Sequence, residues 1–436
     1  MNRFLSLIVG VLWAITYINI VIPAHNFPVA SSLLLFLFLV LGFRWLPSHA
    51  QILCVVLILA AVGLAGFYDT WIVLFHGIDK ASIFPAFLST IVLLRAVAEQ
   101  RPEVDTARKM FNKLPKRERD SGIIAGTHLI GTVLQVGVFA ILAPILGRSV
   151  SQKDRQDVFT VAIRGMATVP FWSPFMVGMA VASEHLPLVP LWQILLLGLP
   201  LTFVGFLISA IFFDRNSNIS RLLHSLASLT PVALPVFIAA FIVVITTVTT
   251  KFSTLQALIL SLPILCLISL AFTKVEGRLL PITQTFERIG KIGPEASILI
   301  CATILGVVFE SVLPKSGLLH WLKNLNLPGY AVIFIIILTM NIAGLIGIHA
   351  IVTGTFLLVV FTSVTTGVTD LVLMQAILVG WGLCSVISIG SLTVATGATM
   401  FGIPPTELIT KSNIAFVFLT TIIIGIILII LNNWLV

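Results

Sequence analysis

Long stretches of this chain hold about 20 consecutive apolar residues with scarcely a charge, the length an α-helix needs to cross a hydrocarbon core roughly 30 Å thick. They lie at 4–23, 30–47, 50–67, 81–99, 191–213, 231–250, 253–273, 294–313 and 413–434. Runs such as 332–340 and 422–431 are continuous and helix-type, unlike the short alternating strands of an outer-membrane barrel. With 58% hydrophobic and only 10% charged residues, the chain cannot cover a water-facing surface. A soluble enzyme, a secreted disulfide scaffold, a disordered tail and a nucleic-acid reader are excluded. An all-α polytopic membrane protein remains. The net charge of +8 is then read as loops held at an anionic cytoplasmic leaflet. Cys54, Cys266, Cys301 and Cys384 fall within apolar runs without CxxC or His-paired spacing, so they read as buried structural thiols. The opening run behind Arg3 exceeds an ordinary signal-peptide core and reads as an uncleaved first helix.

Two regions depart from the plain lipid-facing pattern: 121–147 with 158–183, and 328–366 with 371–400. They are rich in Gly, Ser, Thr and Pro. Charge suggests how they thread. If 121–147 and 328–366 are re-entrant hairpins, 19 Lys and Arg residues fall on the cytoplasmic side, and only Lys80, Lys251, Lys315 and Lys323 fall outside. A full span at 121–147 would even the two sides to 12 and 11, against the positive-inside bias. The expected architecture is eleven transmembrane helices plus two re-entrant hairpins, with the N-terminus cytoplasmic and the C-terminus outside.

Hairpins entering from opposite sides would form two inverted repeats: residues 1–225, with an extra first helix, and residues 226–436. Short echoes support them. Ala81-Ser82-Ile83 matches Ala296-Ser297-Ile298, Ile124-Ala125-Gly126 matches Ile342-Ala343-Gly344, and Phe171-Trp172-Ser173 lies opposite Ile389-Gly390-Ser391. Paired interrupted segments in inverted repeats point to a secondary-transporter site. Pro170 and Pro174 make a continuous helix through 168–174 improbable. The stretch from Ser388 to Thr399 is dense in hydroxyls and glycine. Broken backbone survives at membrane depth where it lines a polar cavity or is buried in protein. There, freed amides favour an anion and freed carbonyls favour Na⁺. A proline kink with small residues for helix packing is the simpler alternative.

Arg164 lies seven residues beyond Asp157 among apolar neighbours, a depth that marks an anion contact, a snorkelling side chain or half of a structural ion pair. No Asp or Glu falls at an expected midplane, so a cation/proton exchanger lacks its usual carboxylate. The expected substrate site comprises Arg164, Thr168, Ser173, Ser388, Ser391, Thr393 and Thr396. The expected ion-coupling residues are Thr127, His128, Asn341 and His349. Loss of Arg164 is expected to abolish uptake and leave folding intact.

Two halves, each with a hairpin followed by an interrupted helix, resemble the ion-transporter superfamily: divalent-anion/sodium symporters, citrate and gluconate permeases, arsenite permeases and some Na⁺/H⁺ antiporters. Those symporters carry Ser-Asn-Thr at both hairpin-to-helix sites. Here Thr168-Val-Pro-Phe-Trp-Ser173 and Ser388-Ile-Gly-Ser391-Leu-Thr393 keep hydroxyls without the asparagine. The resemblance implies a homodimer with a scaffold and a mobile transport part, and a bacterial inner-membrane location. The expected activity is ion-coupled secondary transport of a small anion, an organic acid, by alternating access. No cofactor is expected beyond a coupling Na⁺ or H⁺, and no catalytic residue or nucleic-acid partner. A cation/proton antiporter is the alternative, and a membrane-embedded enzyme a distant one, since no HExxH, GxSxG or catalytic carboxylate pair occurs.

Overall fold

In the computed structural model, all residues are described except 1, 24, 25, 105, 107, 108, 110–118, 147–150, 215–217 and 273–278. Several cations used to orient the loops, among them Arg108, Lys113, Arg148, Arg215 and Lys274, lie outside the described residues. Every described regular element is helical. In chain order the helices are α1 (Asn2–Val21), α2 (Asn26–Gly42), α3 (Ser48–Phe67), α4 (Trp71–Ala81), α5 (Ile83–Glu99), α6 (Arg119–Leu134), α7 (Val138–Leu142) and α8 (Gln152–Ala167). There follow α9 (Val177–His185), α10 (Leu191–Phe212), α11 (Ile219–Ser228), α12 (Thr230–Thr249), α13 (Thr254–Phe272), α14 (Leu280–Ile289), α15 (Gly293–Val312) and α16 (Leu318–Asn324). The chain ends with α17 (Gly329–Leu345), α18 (Ala350–Thr362), α19 (Asp370–Ile387), α20 (Leu392–Phe401), α21 (Pro405–Leu408) and α22 (Lys411–Leu435).

The nine plain apolar runs all become helices, with ends shifted by a few residues. Among the described residues, eleven helical stretches are long and apolar enough to cross a membrane. The number agrees with the sequence expectation, but the membership does not. Arg119–Leu142 is among the eleven by length and apolarity, whereas 158–183 is missing because its helix stops at Ala167. Several elements were not anticipated, among them the following. The loop expected before residue 81 is instead α4, which runs almost directly into α5. Helices α11 and α14, ten residues each, are too short to span and carry charge on one face only.

The chain forms two compact units, and each draws on both halves of the sequence. One comprises Met1–Val97, Thr250–Leu327 and Thr355–Thr365. In it α15 packs against both α3 and α4, and α14 packs on α1. The other comprises Ala98–Thr249, Pro328–Gly354 and Thr366–Val436. In that unit α6 packs on α8, while α17 packs on α19 and α22. All seven expected substrate-site residues and all four ion-coupling residues fall in this second unit.

The chain twice follows the same order, within the second unit but for residues 355–362 of α18: helix, break, shorter helix, then helix, break, shorter helix. Residues 119–146 and 152–185 make the first pass, and 329–362 and 370–401 the second. Packing repeats with the order, since α6 lies on α8 as α17 lies on α19. The middle of α19 approaches the first break so closely that a Cβ on Gly382 would stand 2.0 Å from the Ala167 carbonyl oxygen. Backbone cannot retreat there without shifting a helix. Gly382→Ala should therefore lower stability by about 1–3 kcal/mol, as overpacking does, measured as thermal unfolding in detergent. An unchanged midpoint would remove this contact from the reasons the first break is held.

Candidate functional site

The first break begins where α8 ends. Thr168 caps it, a single 3₁₀ turn spans Val169–Phe171, and regular helix resumes only at Val177. Pro170 and Pro174 supply no amide hydrogen, which is why the helix cannot run through. The residues from Thr168 to Phe175 are all buried. Such backbone needs partners, and protein supplies them. Thr202 donates to the Thr168 carbonyl (3.2 Å) and Gln375 to the Phe171 carbonyl (2.9 Å). Gln135, at φ +51° in the turn after α6, donates to the Phe175 carbonyl (3.2 Å). Ser173 accepts from the Phe175 amide.

His128 reaches this break from α6. The indole Nε1–H of Trp172 donates to His128 Nε2 at 3.0 Å. An indole is donor only, so Nε2 is unprotonated and Nδ1 carries the hydrogen. Nδ1 lies 2.9 Å from Thr168 Oγ1, to which it donates, while that hydroxyl donates to the Gly165 carbonyl (2.9 Å). Thus His128, Thr168 and Trp172 form one closed chain of bonds around a neutral imidazole. Thr127 stands apart from it, its hydroxyl donating to the Ile123 carbonyl one turn back.

Arg164 lies one turn before Thr168 and is 1% exposed, yet it is not part of this chain. Its Nη1 makes a 2.8 Å ion pair with Asp214, itself buried, and contacts Ser209 at 3.4 Å. Its Nε donates to Asn413 Oδ1 (2.8 Å) and its Nη2 to Ser412. The rings of Phe213 and Phe416 flank the guanidinium at 4.9 and 5.4 Å. Ser209 also donates to the second Asp214 oxygen at 2.6 Å. Asp214 follows α10 in a loop. Burial pushes its carboxyl up to about 6, against the lowering influence of Arg164 and of the Ser209 hydrogen bond, while Asp120 adds to the rise. In this conformation the arginine charge is matched by an internal carboxylate.

The second break is built differently. Helix α17 ends in a Schellman motif: Gly347, at φ +86°, donates to the Gly344 carbonyl, and Ile348 donates to the Ala343 carbonyl at 2.8 Å. Glycine is required there because a side chain rarely adopts that φ. The residues 345–348 are exposed. Beside them lies the gap between α19 and α20, with Gly390 so close that a Cβ on it would be 3.3 Å from the Gly347 oxygen. Ser391 caps α20, accepting from the Val394 amide (3.1 Å) and donating to the Ser385 carbonyl (2.9 Å). The Leu392 and Thr393 amides have no hydrogen-bond partner among the described residues, as expected for the first amides of a helix. Ser388 is buried behind the gap, and Thr393 and Thr396 are half-buried on α20.

The expected residues therefore do not converge on one place. Thr168, Ser173 and His128 are at the closed first break. Ser388, Ser391, Thr393 and Thr396 are at the open second break, with His349 nearby at the start of α18, its Nδ1 accepting from the Ile351 amide. Arg164 sits in its own ion-pair cluster. Asn341, fully buried on α17, donates to Thr421 of α22 at 3.0 Å and leaves its Oδ1 without a partner. Sequence reasoning missed Gln135, Gln375, Asp214, Ser209 and Asn413. Only Asp214 carried a signal, as the acid following the apolar run that becomes α10. Among the described residues no cluster of three metal-ligating side chains occurs. No protein-family model matches the chain, and no curated protein matches it in sequence.

Proposed function

We propose that this multi-pass membrane protein is an ion-coupled secondary transporter that moves a small anion together with a cation by alternating access. One observation carries the reading. At the second break the carbonyl end of α17 and the amide end of α20 meet, at Gly347 and Gly390. A helix carries about half a positive charge at its N-terminus and half a negative charge at its C-terminus. The juxtaposition offers a cation a set of carbonyls and, alongside, offers an anion two free amides and the hydroxyls of Thr393 and Thr396. Bound together, the two ions neutralise one another, which favours loading both or neither. That is the condition for coupling.

The repeated order of elements supports an inverted pair of re-entrant hairpins, with the first break as the counterpart of the second. The first is closed by protein hydrogen bonds and the second is open, an asymmetry in keeping with one stage of an alternating cycle. Because the candidate residues share one compact unit, that unit is the part we assign to carry the site, and the other to act as scaffold. Arg164, its charge met by Asp214, serves in this scheme to hold α8, α10 and α22 together, and the anion charge falls to the α20 amides.

Counterflow in proteoliposomes tests the proposal, with radiolabelled mono-, di- and tricarboxylates and with or without a Na⁺ gradient. Accumulation of one acid that depends on Na⁺, and that falls at least tenfold in Gly347→Val, is the expected result. No accumulation of any acid or inorganic anion by folded protein, with a Na⁺-driven pH change in its place, would overturn symport in favour of cation/proton exchange.

A further inference from the structure

A groove of about 810 Å³ runs along the α1 and α14 surface, within the first unit. Its α1 wall is Arg3, Ser6, Leu7, Gly10, Val11 and Ala14, a single stripe at helical spacing about 16 Å long. Gly10 leaves room for the Phe286 ring, which would sit 3.5 Å from a Cβ placed there. The other wall comes from α14 and the residue beyond it, with Phe286, Glu287 and Lys291. Helix α14 cannot span, and Leu279, Leu280 and Phe286 on or beside it are 70%, 46% and 53% exposed. A short helix whose exposed side carries apolar side chains together with a charge is suited to the membrane interface. A groove beside it is placed to meet a lipid headgroup and its acyl chain.

We propose that this groove binds one anionic phospholipid with a hydroxylated headgroup, of the phosphatidylglycerol type. Arg3 and Lys291 provide two positive charges for the phosphodiester. Glu287 accepts hydrogen bonds from the headgroup hydroxyls, and with one phosphate the groove's charges sum to zero. Leu7, Val11 and Phe286 line the path of an acyl chain. A zwitterionic headgroup leaves one positive charge unmatched, and a choline headgroup gives Glu287 no hydrogen to accept.

The test is native mass spectrometry of the full chain in detergent, with dioctanoyl phosphatidylglycerol, phosphatidylethanolamine, phosphatidylcholine or inorganic phosphate added in turn. One phosphatidylglycerol should be retained at least tenfold better than either zwitterionic lipid, and better than free phosphate. The Arg3→Gln/Lys291→Gln variant should lose that preference and keep its unfolding midpoint. Glu287→Gln should keep phosphate-dependent retention but discriminate less between headgroups. Equal retention of all three lipids, or selectivity unchanged in the double variant, would overturn the proposal. A dimer mass that forms without lipid and is lost in Gly10→Leu would assign the groove to a second copy of the chain instead.

Discussion

Replacing Arg164 with methionine is expected to destabilise the protein by about 3–5 kcal/mol at neutral pH, the usual cost of removing one member of a buried ion pair. The side chain is 1% exposed and its ion-pair partner Asp214 is equally buried. Methionine fills much of the space between Phe213 and Phe416 but leaves the carboxylate with only Ser209 to answer it. The pH dependence has a definite sign. Folding lifts the Asp214 pKa from 3.8 to about 6, so the folded protein binds this proton more tightly than the unfolded chain does. Its contribution to stability is thus greatest below pH 4 and declines as pH rises to about 6. Without Arg164 the lowering influence on Asp214 disappears while burial and Asp120 continue to raise it. The decline must then extend above pH 6, and the variant should be closest to wild type in acid. Thermal unfolding in detergent at pH 5 and pH 8 measures both effects. The double variant Arg164→Met/Asp214→Leu removes both charges and should recover most of the loss. Equal midpoints for wild type and Arg164→Met at pH 8 would mean the pair is not what secures α8.

That expectation reverses the one drawn from sequence, in which loss of Arg164 abolishes uptake and spares the fold. The reason is instructive. Apolar length and charge density are local properties, so the nine plain spans could be read directly. The first break was equally legible, because two prolines act on the backbone wherever they fall. The partner of Arg164 was not. Asp214 is 50 positions away, and it reaches the guanidinium only because the chain after α10 turns back at Phe213. Asn413 is 249 positions away on another helix. No spacing rule connects such residues; only the packing of α8 against α10 and α22 does. The helices α11 and α14 escaped notice for a different reason. Each is too short to register as a span, and an amphipathic decamer is hard to tell from a loop by pattern alone.

The same distinction bears on where the charge of the proposed anion would be met. A sequence shows formal charges and conceals backbone ones. Arg164 stood out as the deep cation, yet its charge is met within the protein. The free amides at Leu392 and Thr393 carry no sequence mark beyond the Ser391 cap preceding them, and the carbonyl end of α17 is marked only by Gly347. Helix ends supply partial charges without the desolvation cost of a buried ion. On the proposed transport reading, a site that loads and unloads with each cycle gains from that, since a full buried charge would oppose the empty return.

His128→Ala is expected to cost about 3–5 kcal/mol, through a cavity beside Phe206 and an indole donor left without an acceptor. Trp172→Phe keeps an aromatic ring against Phe237 but removes the donor and one of the two fused rings, so about 1–3 kcal/mol is expected. Because both substitutions break the same bond, the double variant should cost less than the sum of the two. Stability alone would not distinguish packing from a proton-handling role, but a second readout does. While the indole N–H points at Nε2, that nitrogen cannot accept a proton without forcing two donors together. In Trp172→Phe the obstacle is gone. Uptake by that variant, on the proposed transport reading, should become more sensitive to pH than wild-type uptake. Trp172→Phe/His128→Ala should lose that added sensitivity again. If wild-type uptake already depends on pH and His128→Ala flattens the profile, then the Trp172–His128 bond opens during the cycle and His128 carries the coupling proton. If neither substitution alters the profile, His128 serves only to hold the first break shut.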